Sequence, residues 1–464
     1  MGIIYKLKGE YSLEIGKDPS QDFEKSIESY NKALEIDKNY LPTYFNLSNA
    51  FSLKAQYQTK QGQNPKESLE NAISSCQKAI QINPNEAASY SKLVLVYAIE
   101  TQYLINIGED PSSSVEKAKQ NCDKAIELCP EDKITKNYLG FSYINQSQYF
   151  LDSGRDPNPV LDKAIENFQY ILSATPTYDI MNYSNIAQCY FSKGYYNLLQ
   201  GQSPVNFAEK AIENCEKALA ISKKASLAQA IKAGAYWLKA MYLLRQGESP
   251  LAETKQAIEN CEKAYEANSG ELVAAYNLGL IYWVVGKYQA DKGQSPEQSL
   301  AEALKAVDDA KNISPGNKYS FLIEARLNLL EAQWLVLENK SPESVLSKCY
   351  SNLQDVLNTN PKSSEAYMLL ASLFRWRSEW LLKQGSLETK VIEEGLAAVE
   401  KALANNPNNA DAYAVKGVLC LLGSRAKDSS KNKQLAEDSR KSFQKAFSIN
   451  KMLQREYQSS LKEL

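Results

Sequence analysis

The chain has 464 residues, 53 Lys and Arg against 55 Asp and Glu, and no histidine. That length is too great for one compact core and fits two to four ordinary domains or one extended array. A near-neutral chain without basic blocks lacks the electrostatic footprint of a nucleic-acid binder, and the missing imidazole removes Ser-His-Asp and Cys-His catalysis, imidazole metal sites and histidine pH switching.

The first segment, MGIIYKLKGEYSL, has no apolar core of signal-peptide length, and Lys6 stands where a myristoylation signal needs Ser or Thr. The longest apolar runs, such as Leu278–Val285, are far short of a bilayer span, so no membrane insertion is expected. Eight cysteines without a Cys-x-x-Cys pair indicate a reducing, cytoplasmic setting.

From there the chain repeats itself. The word AIENCEKA occurs at Ala211–Ala218 and again, unchanged, 46 residues later at Ala257–Ala264. Gly-x-x-Pro keeps the same step at Gly16/Pro19, Gly62/Pro65, Gly108/Pro111, Gly154/Pro157, Gly201/Pro204, Gly247/Pro250 and Gly293/Pro296. Eroded copies follow at Pro342 and Gly385, one extra residue falls between Pro176 and Ile186, and a last copy is about two residues shorter.

Each unit reads as two helices. Residues Ala87–Gly108 show a helical pattern without internal Pro or Gly, about 30 Å long at ~1.5 Å per residue. Gly108 sits where a helix ends in the left-handed conformation, Asp110 where the next is capped, and Pro111 at its first position. The capping position is filled by Asp18, Asn64, Asp110, Asp156, Ser203, Ser249, Ser295 and Ser341. Gly-x-x-Pro is therefore a helix-to-helix turn; a phosphate loop would want more glycines and a Lys. The second helix, for instance Pro204–Ser222, ends before a turn that often holds Pro, as at Pro84, Pro130 and Pro176. The array is expected to run over 1–451, with 452–464 as a polar C-terminal capping helix.

Leu139-Gly140-x-x-Tyr143 and Leu278-Gly279-x-x-Tyr282 on the first helix, with Ala72, Ala118, Ala164, Ala211 and Ala257 on the second, resemble the tetratricopeptide repeat. The large-residue column of that family reads Tyr30, Cys76, Cys122, Phe168, Cys215, Cys261, Val307, Leu353, Val399 and Phe443. The departure is length: 46 residues instead of 34, the extra ones lengthening the first helix and building the Gly-x-x-Pro turn. The turns at this period are also similar to those of the long-unit arrays that follow the catalytic domain of some bacterial serine/threonine kinases, although no kinase element is present. The resemblance implies an all-α fold, a right-handed superhelical solenoid of about ten antiparallel helix pairs. Gly2, Tyr5 and Tyr11 occupy the small and aromatic columns of a first helix without its opening turns. The start thus reads as the interior of a repeat in a longer parent, or as a degenerate cap.

Four of the eight cysteines share the column that elsewhere holds Tyr, Phe, Val and Leu, so they read as buried apolar filling and not as redox or metal groups. Glu213 and Glu216, repeated as Glu259 and Glu262, are ordinary solvated helix charges. No enzyme activity, cofactor or metal is expected. In the family the first helices line the concave face, and the two inward columns here give Phe141, Phe191, Trp237, Trp283 and Leu329, joined by Arg326 and Arg375. Large apolar groups on a wet face mark partner sites. The expected function is a non-catalytic scaffold that binds a protein or peptide in this groove, as the docking arm of a larger signalling protein. Two alternatives stay open: lengthened first helices that close the groove and bury the rings, and a structural spacer or oligomerisation rod. The family's carboxylate clamp is not evident, and the sequence does not set the oligomeric state.

Overall fold

The computed structural model describes residues 1–14, 17–174, 179–426 and 432–462, and every regular element among them is helical. The chain divides into two compact units, Met1–Tyr149 with Asp162–Pro176, and Phe150–Leu161 with Thr177–Leu464. The stretch expected as one unbroken array is thus described as two bodies.

The first unit is built from α1 (Gly2–Glu14), α2 (Ser20–Ile36), α3 (Leu41–Lys60), α4 (Lys66–Ile82), α5 (Ala87–Asn106) and α6 (Ser112–Leu128). It also takes most of α7 (Lys133–Asp152) and α8 (Asn158–Ala174). The second unit contains α9 (Ile180–Leu199), α10 (Val205–Ile221), α11 (Ser226–Gln246), α12 (Leu251–Ala267), α13 (Leu272–Asp291) and α14 (Glu297–Ile313). It continues with α15 (Lys318–Leu337), α16 (Glu343–Thr359), α17 (Ser364–Lys383), α18 (Thr389–Asn405), α19 (Ala410–Gly423) and α20 (Asn432–Ile449). Two short pieces, α21 (Leu453–Glu456) and α22 (Gln458–Lys462), close the chain.

From α1 to α20, odd-numbered helices are the first helices of their repeats and even-numbered ones the second. Apart from α11, with 21 residues, the first helices from α3 to α17 have 20, about 30 Å. Each second helix carries one buried stripe. In α10 this is Ala208, Ala211, Asn214, Cys215 and Ala218, the spacing of a single helix face. The alanine column Ala72, Ala118, Ala164, Ala211 and Ala257 is fully buried, because only a small side chain lets the two helices of a repeat approach closely. The fold is an all-α, TPR-like helical solenoid.

The turn between the helices closes as the sequence predicts. Gly62, Gly108, Gly154, Gly201, Gly247 and Gly293 all have φ between 67° and 79°. The amide after the glycine donates back across the turn, as from Gln63 N to the Gln58 carbonyl at 2.8 Å, which satisfies a carbonyl the helix end leaves orphaned. At the eroded copy Asn339 takes the same conformation, with φ 57°, as the residue best able to replace glycine there. Gly16 lies outside the described residues. The caps form too: Asn64 Oδ1 accepts from Lys66 N at 3.0 Å, and Asp110 and Asp156 accept from Ser112 N and Asn158 N at 2.9 Å. The second helices begin one residue after the proline, which itself sits at the cap with φ −88° at Pro65 and −81° at Pro111.

Gly293 isolates the cost of this turn, since a Cβ there would meet nothing within 4 Å. Gly293→Ala is expected to destabilise the protein by about 1–2 kcal/mol through backbone strain alone. A denaturant midpoint equal to that of the parent protein would show that the turn relaxes instead.

The end of the chain differs in form from the single polar helix expected over 452–464. It is two short helices, and Met452, Leu453 and Tyr457 are buried. The helix breaks at Tyr457, whose ring packs against Phe443 with centroids 5.8 Å apart.

Candidate binding groove

The inward columns of the sequence divide between the two units. Phe141 belongs to the first, half-buried and edge-on to Phe168 at 6.0 Å. The other six residues belong to the second. Phe191 on α9 and Trp237 on α11 lie 6.3 Å apart, and Tyr195, one turn along α9 from Phe191, completes a cluster at 6.5 Å and 6.0 Å from them. Trp237 is 6% exposed and Leu329 is 7% exposed, so these two are packed rather than presented. Trp283 is half-buried between two core clusters.

Further along the second unit, the first helices carry charged pairs. Arg326 on α15 donates from Nε and Nη2 to Glu365 Oε1 on α17, at 3.1 and 2.7 Å. Burial works against the Arg326 charge, but the Glu365 carboxylate outweighs it and raises the guanidinium pKa. Arg375 lies over the Trp376 ring at 4.3 Å and the Tyr457 ring at 5.6 Å, and donates to Glu379 Oε1 at 2.9 Å. Arg245, at the end of α11, faces Asp411 at the start of α19 at 3.4 Å.

A cavity of about 100 Å³ opens among these groups, lined by Asp152, Tyr195, Lys318, Tyr319, Arg326 and Glu365 with others. Its helical walls come from α7, α9, α15, α17 and α19, all first helices. Burial, with Glu365 adding to it, pushes the Tyr195 hydroxyl up to about 12, so it stays a neutral hydrogen-bonding group. The space is several-fold below the ~300 Å³ at which small-molecule pockets begin. Three carboxylates, Asp152, Glu365 and Asp411, stand against two cations, Lys318 and Arg326, so the wall is weakly anionic.

Of the residues singled out in the sequence, the structure brings Phe191 and Trp237 together and sets Arg326 at the cavity, while Arg375 lies against Tyr457. Sequence reasoning missed Tyr195, Glu365, Arg245 and Asp411. The i, i+4 spacing from Phe191 would have given Tyr195. Nothing local pairs Arg245 with a residue 166 positions away.

The cysteines of the large-residue column, Cys76, Cys122, Cys215 and Cys261, are all fully buried and unpaired. Burial pushes the Cys215 thiol up to about 12, which makes it a poor nucleophile. Among the described residues, no group of three or more His, Cys, Asp or Glu is placed to hold a metal ion, and no helix is long and apolar enough to cross a membrane.

The fold and inner face define a TPR-like helical-repeat protein. No family model matches the chain, and a search of curated proteins finds no match in sequence. Solved structures with partial likeness include the human IFIT1 dimer with m7Gppp-AAAA, at 14% identity over 96% of this chain and 90% of that one, TM-score 0.43. The TPR domain of P58(IPK) is 12% identical over 96% and 99%, TM-score 0.23. The Cut9–Hcn1 hetero-tetramer of the APC/C is 11% identical over 95% and 96%, TM-score 0.20. Similarities this low carry no inference about a ligand.

Proposed function

We propose that this protein is a non-catalytic scaffold that binds a peptide or short helical segment along the inner face of its second unit. What supports the reading is the aromatic cluster of Phe191, Tyr195 and Trp237, with Tyr195 and Arg326 lining a cavity that first helices surround. The outer face carries solvated pairs such as Lys217–Glu213 instead. Aromatic and Arg anchors are the side chains that dominate protein interfaces. The weakly anionic wall and the near-neutral whole chain favour a peptide over a nucleic acid. Eight cysteines without a Cys-x-x-Cys pair favour a reducing, cytoplasmic setting. The kinase-linked arrays that the turns resemble make a docking arm of a larger signalling protein the setting for this role.

The test is selection from a displayed peptide library with the full chain as target. Enriched peptides are expected to lose at least tenfold in affinity for the Trp237→Ala/Trp283→Ala variant and for Arg326→Ala, with helical circular dichroism retained. Enrichment of no sequence, or peptides indifferent to these changes, would sink the proposal. The second reading, a structural spacer or oligomerisation rod, is favoured by one observation: Trp237 and Leu329 are almost wholly packed. It predicts the negative outcome of the same selection.

A further inference from the structure

We propose that the outward face of α1 is a docking site for a helix of a partner protein, one that carries the array's own second-helix pattern: a leucine, an alanine three residues on, and an Ile or Leu directly after the alanine. The site lies in the first unit and is independent of the groove.

Ile3, Ile4, Leu7 and Tyr11 fall within an arc of about 100° on α1, the width of the stripe that a helix buries in a globular fold. Each of the four is more than half exposed. The opposite side of α1 is already seated. Gly2 and Gly9 face the rings of Tyr30 and Phe23, and Ser26 Oγ donates to the Gly2 carbonyl at 2.9 Å. Charges flank the stripe without entering it: Lys6 pairs with Glu10 at 3.5 Å, and Lys8 with Asp22 at 3.6 Å.

Two repeats on, the same positions of α5 hold Leu95, Val96, Ile99 and Tyr103, nearly the same residues. There the stripe is covered. Val96 and Ile99 are buried in a cluster with Leu69 and Ala72 of α4 and Ala55 of α3, and Leu95, Tyr103 and Ile73 pack against it. On α15 the positions of Ile4 and Leu7 hold Leu327 and Leu330, clustered with Leu300, Ala303 and Val307 of α14, with Leu304 packed beside them. In all nine later first helices the position of Ile4 is at most 1% exposed.

These contacts define the chemistry of the cover. Leu69, Ala72 and Ile73 on α4 and Leu300, Ala303 and Leu304 on α14 are one pattern, at i, i+3 and i+4. The alanine lets the second helix approach the large residues of the first, and the aliphatic groups beside it fill the remaining space. A second copy of this chain offers no such helix, because the alanine stripes of its second helices are buried within the array, as on α4, α10, α12 and α14. It could present only its own α1, which sets Ile4 and Leu7 against large side chains instead of alanine.

The probe is a fluorescently labelled synthetic peptide of residues 297–313, the sequence of α14, titrated with the full chain and followed by anisotropy. It is expected to bind and to gain helical circular dichroism on binding. Ile4→Glu/Leu7→Glu changes two exposed positions and should weaken binding about tenfold or more, with the protein's own circular dichroism retained. The peptide with Ala303→Leu should also bind about tenfold more weakly, because the larger side chain blocks the close approach; this arm alters no residue of the protein. Absence of binding at any attainable protein concentration overturns the docking site. So does binding that Ile4→Glu/Leu7→Glu leaves undiminished, or equal or tighter binding of the Ala303→Leu peptide. Sedimentation of the chain alone as a dimer, returned to monomer by Ile4→Glu/Leu7→Glu, would make a second copy the occupant and overturn the partner helix.

Discussion

Raising the pH from 8 to 10 is expected to remove about 8 kcal/mol of unfolding free energy, mostly through six buried thiols. Burial pushes Cys76, Cys122 and Cys420 up to about 11 and Cys215 and Cys349 to about 12, from an ordinary value of 9.0, and raises Cys261 as well. A thiol raised in the folded state favours the protonated form there. Its contribution is fully present below the unfolded value near 9, and is lost as the pH climbs toward the folded value. At pH 10 each unfolded thiol has ionised while its folded counterpart has not, a difference of about 1.4 kcal/mol per group. Above pH 10, Tyr143 and Tyr195 add to the loss, since burial pushes both up to about 12. Denaturant titrations at pH 8, 9 and 10 measure the slope, and Cys215→Ala is expected to reduce it by one proton. A flat stability profile over this range would show that the thiols reach solvent in the native state.

The second large effect concerns how the two helices of a repeat fit together. Phe443→Ala is expected to cost about 3–5 kcal/mol, as for other fully buried rings. The ring is 1% exposed, stacks on Phe447 at 5.7 Å and touches Tyr457. It fits because the facing first-helix residue is Gly417, where a Cβ would meet the ring at 2.9 Å. Gly2 faces Tyr30 and Gly140 faces Phe168 in the same register, with a Cβ at 2.6 and 2.5 Å from the rings. Where the column holds Cys, the same first-helix position holds a larger residue: Ser48 for Cys76, Val94 for Cys122, Ala187 for Cys215 and Ala233 for Cys261. Ser48 and Cys76 are in direct contact, Oγ to Sγ at 3.0 Å. Gly279 faces Val307 in the same register, so the rule runs one way: each ring in the column has glycine opposite it, as a close-packed interior requires. Gly417→Ala should destabilise on its own, and Gly417→Ala/Phe443→Cys should recover part of the loss of Phe443→Ala. Chemical denaturation of the three variants decides it, and strict additivity of the two changes would refute the pairing.

Much of the repeat is legible before any coordinates. The 46-residue step, the helix-ending glycine, the cap and the alanine column are local signals, each set by backbone conformation or by the spacing of one helix face. The buried cysteine column follows from the same reasoning, because a position that accepts Tyr, Val and Leu is apolar whatever else it holds.

The sequence by itself determined the elements and their pairing within a repeat, since neighbours in the chain are neighbours in space. The tertiary structure alone decided where the array divides, which inward residues are packed and which remain polar, and what lies against them. Asn450 on the carbonyls of Leu198 and Leu199, and Arg245 opposite Asp411, join residues five or so and nearly four repeats apart. Those contacts depend on small rotations between successive repeats, added over many units. No short stretch of residues encodes that sum, and it sets which of the predicted inward residues are packed.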